Sequence, residues 1–285
     1  MEHRDKLKRH FFLTAIIIAF LLMIIGQMPL YLLMLYLKTV ISDSGIIFLI
    51  FYSTFLGIWP LTLLYCRLAE KDVFKKMKSA GCGGGSGNTF KKLLIGLLAG
   101  ITINGICALA AYLHRDLAFS FSSLNIPYLV IGLLAVFIQS GAEELVTRGY
   151  LFNVISARYS MIFAVIINSL FFAVIHGANK GITLSAVLQL FLFAITESLI
   201  VWKYDSLWMA MGLHTGWNYT QSLLLGLPNS GIVSEKALLK LDAASDSIFY
   251  SVSFGLEGGI TILILLLAIS VFIILTTKRK ENAES

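Results

Sequence analysis

Long apolar segments dominate this chain and restrict what it can fold into. A helix needs about 20 predominantly apolar residues to cross the roughly 30 Å hydrocarbon core of a bilayer. Hydrophobic residues make up 58% of the sequence and charged residues only 13%, whereas about a quarter of the residues in a soluble domain are charged. We therefore predict an all-α, polytopic membrane protein with about eight transmembrane helices. The apolar segments lie at about 11–36, 44–66, 93–113, 126–157, 160–177, 185–202, 206–226 and 258–277.

The distribution of basic residues predicts the orientation of these spans. An even number of spans places both chain ends on the same side, and cytoplasmic loops carry an excess of Lys and Arg. With both termini in the cytoplasm, most of the 22 Lys and Arg residues fall on the cytoplasmic side. We therefore predict cytoplasmic termini and contact with the lipid bilayer, and no feature of the sequence indicates a nucleic-acid partner. The outer segments then hold only Lys38, Arg115, Lys180, Lys236 and Lys240.

Charge and composition divide the chain into three regions. Residues 1–125 form an N-terminal three-helix membrane region with a basic cytoplasmic loop at 67–92, in which GCGGGSGN (81–88) is typical of a flexible tether. Residues 126–226 hold the polar groups that lie inside apolar spans. Residues 227–285 form an outer loop, a last transmembrane helix and a basic tail. The outer loop at 227–257 fits either a lid over a site or a solvated loop, and the second is favoured.

The fourth apolar span carries three charged residues, Glu143, Glu144 and Arg148. A charged side chain at the centre of a bilayer costs about 2.5–3.5 kcal/mol on insertion scales, so such residues indicate a functional site. On a helix, residues four apart share a face, so Glu144 and Arg148 are predicted partners. Glu143 points elsewhere and needs a partner from another helix. A carboxylate left unpaired in apolar surroundings binds a proton more readily than one in water, which suits a general base.

Two further spans supply histidines at matching depth. If the fourth and fifth spans form a hairpin, His176 and Glu143 differ in depth by only about 3 Å at 1.5 Å per residue. His214 and Asn218 are four apart and share one face of the seventh span. Each residue alone fits a hydrogen-bonding core role, but together they predict one polar cavity. Glu197, mid-span in the sixth segment, fits equally well a place in that cavity or a pair with a neighbouring helix.

This set of groups indicates hydrolytic chemistry. A carboxylate and an imidazole flanking a water make a hydrolytic base, while a second imidazole and an amide can donate hydrogen bonds to an oxyanion. Zinc is the alternative cofactor, since Glu and His are its ligands. The sequence has no HExxH motif, however, and adjacent glutamates do not place two ligands on one helical face. We therefore expect no cofactor.

Three motifs resemble those of a known family. EELVTR (143–148) matches EExxxR, FAVIH (172–176) matches FxxxH and HTGWN (214–218) matches HxxxN. In this order, and each in an apolar span, they are similar to the motifs of the CAAX prenyl protease and bacteriocin-processing (CPBP, Abi) family of intramembrane proteases. The resemblance covers about 128–225, roughly a third of the chain.

The resemblance implies an eight-helix fold and peptide hydrolysis inside the membrane without a metal. By motif position, Glu143 would activate water together with His176, and His214 and Asn218 would form an oxyanion hole. Glu144 and Arg148 would hold the structure of the site. The size of the chain is similar to that of bacterial members, which implies a bacterial cell membrane. The expected substrate is a membrane-associated peptide or protein, with or without an attached lipid, including secreted peptides and bacteriocin precursors.

Two functions of other classes remain open. A non-catalytic membrane partner, for bacteriocin immunity or sensor regulation, could use the same cavity for binding. A proton-coupled transporter also uses intramembrane Glu and His, but the sequence shows no internal repeat and no pair of interrupted spans in matching halves. An active-site Glu143→Gln substitution separates the first of these from a protease.

Overall fold

The protein is a bundle of helices, and every predicted apolar segment contains one. The computed structural model describes residues 12–78, 87–179 and 181–284, with side chains described up to residue 277. The predicted tether at 81–88 therefore lies outside the described residues except at its last two positions. The helices are α1 (Phe12–Leu37), α2 (Ser44–Ser53), α3 (Ile58–Ala69), α4 (Lys71–Lys78), α5 (Phe90–Leu113), α6 (Ile126–Ser156), α7 (Met161–Ile175), α8 (Leu184–Tyr204), α9 (Leu207–Tyr219) and α10 (Ile260–Glu284).

Length and composition identify a polytopic membrane protein. A short 3₁₀ turn (Thr54–Gly57) joins α2 and α3 into one apolar segment. Within the described residues, six segments are long and apolar enough to cross a membrane: α1, α2–α3, α5, α6, α8 and the part of α10 up to Thr277. Helices α7 and α9 are shorter. The most apolar windows of α6 and α8 are 67% and 61% buried, against 17% for α1 and 22% for α10, so α6 and α8 form the centre.

Side-chain caps define where the helices of this central region begin. Asn125, Ser160, Thr183 and Ser206 each accept a hydrogen bond from the backbone N–H three residues later. Such caps satisfy one of the free N–H groups of the first helical turn. Asp205 adopts a left-handed conformation with φ 46°, which allows α8 and α9 to follow each other across a very short turn. Helix α9 is thereby fixed against the core.

Helices α5 and α9 approach so closely that their contact faces are built from glycine. Each helix carries a GxxxG pattern, a spacing that lets helix backbones pack closely in membranes. A Cβ atom at Gly212 or Gly216 would run into the carbonyl oxygen of Leu93 or Leu97 on α5. Gly96 and Gly100 of α5 meet the backbone of α9 in the same way. Because His214 lies between the two α9 glycines, this contact sets its position.

Helix α6 changes its winding in the middle of the EExxxR motif. It is α-helical up to Glu144, π-helical over Leu145–Phe152 and α-helical again over Asn153–Ser156. Side chains bond to carbonyl oxygens in this region: Thr147 donates to the carbonyl of Glu143, and the Asn153 amide donates to those of Arg148 and Gly149. π-Helical turns inside α-helices occur frequently at functional sites. The apolar segment predicted at about 126–157 is thus one helix of 31 residues that changes its winding along its length.

The outer segment is ordered and partly buried. Strand β1 (Leu117–Phe121) pairs antiparallel with strand β2 (Leu239–Ala244) in a two-stranded ribbon that the sequence analysis does not predict. Tyr250, Phe254 and Leu256 have no exposed surface. The favoured interpretation of 227–257 as a solvated loop is therefore wrong for these buried positions, whereas Val233, Ile248 and Val252 are exposed.

Candidate active site

A cavity of about 450 Å³ lies among α1, α2, α6, α7, α8, α9 and the outer segment. This volume lies within the usual range for small-molecule and peptide side-chain pockets. Much of its wall is apolar and comes from α1 and α2, while α6, α7 and α9 contribute the carboxylate, imidazole and amide groups of the predicted site, and the outer segment adds further polar groups. The predicted residues that line it are Glu143, His176, His214 and Asn218.

One oxygen of Glu143 faces both histidines. The Glu143 carboxylate is 5% exposed, and its Oε2 atom is 3.8 Å from Nε2 of His176 and 3.8 Å from Nε2 of His214. Both distances exceed a direct hydrogen bond. Within the described part of the chain, Oε2 has no hydrogen-bond partner, whereas Oε1 accepts a bond from the amide of Gln139. Oε2 of Glu143 thus faces the Nε2 atoms of both histidines at the same distance.

Glu144 is fully buried and occupies the other side of His214. Its Oε1 atom lies 2.8 Å from a terminal nitrogen of Arg148 and 3.0 Å from Nδ1 of His214. Because a carboxylate only accepts, this contact puts a proton on Nδ1 of His214 and turns its Nε2 toward the cavity. The predicted Glu144–Arg148 pair is present, and it extends to His214 on a different helix.

Phe172 connects the EExxxR and FxxxH motifs. Its ring lies 4.6 Å from the guanidinium carbon of Arg148, which is a cation–π contact. Its carbonyl oxygen is 2.9 Å from Nδ1 of His176, so that nitrogen carries the proton. His176 ends α7 and is about one-eighth exposed, with Nε2 facing Glu143. The two histidines therefore have different partners: a carboxylate for His214 and a neutral carbonyl for His176.

Asn218 reaches Glu143 indirectly, through Gln139. The Asn218 amide nitrogen donates to the Gln139 carbonyl oxygen at 3.0 Å and to the Ser140 hydroxyl at 3.2 Å. Gln139 in turn donates to Glu143. Both N–H groups of Asn218 are thereby used in this state. Gln139 lies four residues before Glu143 and so shares its helical face, but this spacing does not reveal that Gln139 links α9 to the carboxylate.

Glu197 belongs to the buried network rather than to the cavity wall. It is fully buried on α8 and does not line the cavity, but its charge interacts with those of Glu144 and Arg148. Neither of its oxygens has a hydrogen-bond partner among residues 12–78, 87–179 and 181–277. Of the two interpretations left open by the sequence, the described structure shows neither a place in the cavity wall nor a hydrogen-bonded pair with a neighbouring helix, although the nearby charges of Glu144 and Arg148 lie on α6.

One further observation bears on cofactors. Among the described residues, no group of three or more His, Cys, Asp or Glu side chains is arranged to hold a metal ion.

Glu257 of the outer segment, which is not predicted from the sequence, also lines the cavity. Its position could not be inferred from spacing, because the path of the outer segment is set by packing against the bundle.

Comparison with known proteins supports the resemblance. Residues 125–220 match the sequence model of the Rce1-like type II CAAX prenyl endopeptidase family. The match includes all three motifs and confirms the resemblance over this segment, which runs from the start of α6 to the end of α9. At the level of the family, it supports an integral membrane peptidase whose substrate is a peptide or protein at the membrane. No curated protein matches the chain as a whole or in part.

Proposed function

We propose that this protein is an intramembrane endopeptidase in which Glu143 activates water for peptide hydrolysis. The observation that carries the proposal is the position of the unpartnered Oε2 atom of Glu143, 3.8 Å from Nε2 of both His176 and His214. A general base needs to reach its proton by a hydrogen bond or through one water. The cavity supplies this arrangement inside the bundle, and no cofactor is required.

The reaction begins with a water held between Glu143 and His176. Glu143 takes one proton from the water while the oxygen attacks the carbonyl carbon of the scissile peptide bond. The resulting tetrahedral intermediate carries its negative charge on the former carbonyl oxygen. As it collapses, the C–N bond breaks, and the proton held by Glu143 passes to the leaving nitrogen, directly or through His176. The products are a new carboxyl group and a new amine.

His214 and Asn218 are the proposed donors to the oxyanion. Nε2 of His214 can donate only when the ring carries two protons; Nδ1 then still donates to Glu144. Asn218 must release one of its bonds to Gln139 or Ser140 before it can donate to substrate. Removal of one such donor typically costs about 10²–10³ in kcat. Glu144 and Arg148 hold His214 from behind and do not touch the substrate.

The substrate is a membrane-associated peptide or protein, with or without a lipid, such as a secreted or bacteriocin-related peptide. The excess of Lys and Arg in the predicted cytoplasmic segments supports cytoplasmic termini in a bacterial cell membrane. Under this orientation the outer segment covers the cavity from the extracytoplasmic side.

The test compares wild type with Glu143→Gln in a peptide-release assay at matched membrane levels. Because Gln keeps the shape but cannot accept the proton, cleavage should fall to background while insertion and thermal stability persist. Glu235→Gln is the matched control: Glu235 is exposed, lies on the outer segment and bonds to Ser44. Full turnover by Glu143→Gln contradicts the mechanism. Biological activity that survives Glu143→Gln without any cleavage indicates the non-catalytic partner.

A further inference from the structure

The cavity contains a second carboxylate that the proposed hydrolysis does not use. Glu257 lies in the short turn before α10, is 3% exposed and lines the same cavity as Glu143. Its Oε2 accepts a hydrogen bond from the backbone N–H of Ser230 at 2.9 Å, and the Ser230 hydroxyl also contacts it. The outer segment therefore presents this carboxylate to the cavity from one side and holds it by hydrogen bonds from Ser230.

The polar groups around Glu257 leave space in the cavity for a further binding partner of its carboxylate. Its charge interacts with that of His214, and the indole N–H of Trp217 lies near enough to favour the ionised carboxylate. Within the described residues, however, that indole N–H makes no hydrogen bond of ordinary length and angle, although Trp217 is only 2% exposed. Trp217 also lines the cavity. A buried N–H without an acceptor is a cost that a backbone carbonyl of a bound peptide could remove, whereas a cationic side chain, which only donates, could not.

The cavity wall carries carboxylates but no permanent cation among the described residues. It includes the carboxylates of Glu143 and Glu257 and the imidazoles of His176 and His214, but no Lys or Arg side chain. The buried guanidinium of Arg148 lies behind the wall, where it pairs with Glu144. Burial raises the pKa of Glu257 to about 7, and its bonds to Ser230 only partly offset this. A cation brought close to Glu257 would favour its ionised form.

We propose that Glu257 forms a subsite for a positively charged side chain of the peptide substrate, close to the bond that Glu143 hydrolyses. The inference rests on the proposed endopeptidase activity and adds its substrate class: peptides with a Lys or Arg near the cleavage site. A substrate acid at the same position would meet a like charge in surroundings of low dielectric, which is strongly unfavourable. An incoming ammonium would also give the ionised form of the buried Glu257 carboxylate a cation to pair with.

The experiment measures charge preference with a set of matched peptides. Each peptide has one apolar segment and one cleavable stretch, and single positions on either side of the cleavage site carry Lys, Gln or Glu. Purified wild-type protein in detergent should cleave the best Lys peptide about tenfold or more faster, in kcat/KM, than its Glu counterpart, a difference of about 1.4 kcal/mol. Equal rates for the Lys, Gln and Glu peptides at every position overturn the proposal without any variant.

Variants separate a substrate contact from a structural role. Glu257→Gln keeps an acceptor for Ser230 and should cleave the Lys, Gln and Glu peptides at similar rates. Glu257→Lys should prefer the Glu peptide, and a residue with a purely structural role would not reverse the preference. Glu235→Gln, the same change at an exposed position of the outer segment, should behave as wild type. An undiminished Lys preference in folded Glu257→Gln overturns the proposal.

The outcome also separates this inference from the proposed function. If wild type cleaves peptides and Glu143→Gln does not, but charge has no effect, then the endopeptidase stands and the Glu257 subsite fails. If wild type cleaves none of the peptides and releases no product from its native membranes, then the endopeptidase fails and the subsite fails with it.

Discussion

Glu143 and Glu144 are neighbours in the sequence, but the structure gives their carboxylates different surroundings. Glu144 lies between Arg148 and His214, whereas Glu143 faces the cavity and accepts a hydrogen bond from Gln139. Helical periodicity predicts this division, because adjacent residues point about 100° apart. It cannot predict which groups from other helices meet each carboxylate, since that depends on how α7 and α9 pack. Gln139 and Glu257 are missed for this reason.

Removal of Arg148 should destabilise the protein as well as inactivate it. Arg148→Ala leaves Glu144 buried without its cation, and breaking a buried ion pair in this way costs about 3–5 kcal/mol. We expect a clear drop in the melting temperature in detergent and loss of cleavage. Glu144→Ala should do the same, and it also frees Nδ1 of His214. Lys240→Ala, at an exposed pair with Asp242, serves as the control. An unchanged melting temperature for Arg148→Ala contradicts this assignment.

Gln139 should act as a positioning residue for Glu143. Gln139→Leu removes a hydrogen bond to a carboxylate, and such bonds contribute about 1.5–3 kcal/mol. We expect kcat to fall by roughly ten- to a hundredfold, with little change in KM because Gln139 carries no charge that would attract substrate. Steady-state kinetics at several pH values provides the measurement, since a displaced Glu143 should also shift the pH profile. A purely structural role would lower the melting temperature and leave that profile in place.

At the scale of elements, the helices follow from apolar length, whereas their contacts follow from small residues. The GxxxG patterns at Gly96–Gly100 and Gly212–Gly216 are visible in the sequence, but their mutual contact appears only when α5 and α9 are packed. The π-helical segment at Leu145–Phe152 has no signal in hydrophobic periodicity. Thr147 and Asn153 donate hydrogen bonds to carbonyl oxygens of this region. Nothing in the sequence marks them for this function, because it depends on the π-helical winding.

Alanine at Gly212 should disrupt catalysis by displacing α9. Its Cβ atom would meet the carbonyl oxygen of Leu93, a backbone atom that cannot move without its helix. We expect loss of activity and a lower melting temperature, because His214 lies two residues away. Gly105→Ala on α5 is the matched control, since its Cβ atom would have open space within 4 Å. Equal activity for the two variants would show that α5 and α9 are not held together by this contact.

The outer segment should make stability depend on pH through Glu257. Burial raises the pKa of this carboxyl from 4.5 to about 7. The unfolded state therefore releases this proton at a lower pH than the folded state does. This contribution to stability is fully present below about pH 4.5 and is lost as pH rises through about 7. Glu257→Gln cannot ionise, so its melting temperature relative to wild type should rise between pH 5 and pH 8. A difference that stays constant over this range contradicts the expectation.

At the scale of the whole molecule, composition and the apolar segments predict a polytopic all-α membrane protein, and the structure confirms it. Length alone does not decide the number of membrane-crossing helices. Helices α7 and α9 are shorter than a bilayer is thick and lie beside longer helices. The ribbon of β1 and β2 joins segments more than a hundred residues apart, with Leu117 opposite Ala244. Such long-range pairing leaves no local pattern that the sequence analysis could detect.

Removal of metal ions should leave the activity unchanged. The proposed chemistry uses only the carboxylate, imidazole and amide groups of the chain, so cleavage should persist after dialysis against a strong chelator. Elemental analysis of active protein should find well under one zinc ion per chain. Loss of activity with chelator and its recovery with added zinc would instead support the zinc alternative, with Glu143, His176 and His214 as the residues whose chemistry fits that ion.

The glycine contact between α5 and α9 also sets the smallest unit that could be exchanged between related proteins. The family match begins at residue 125, yet the face that seats His214 lies on α5, at Gly96 and Gly100. A chimera that receives only the matched segment would bring its histidine against a foreign helix and lose the register between them. We therefore expect functional grafts to need α5 as well. The segment that must be transferred together is larger than the three motifs.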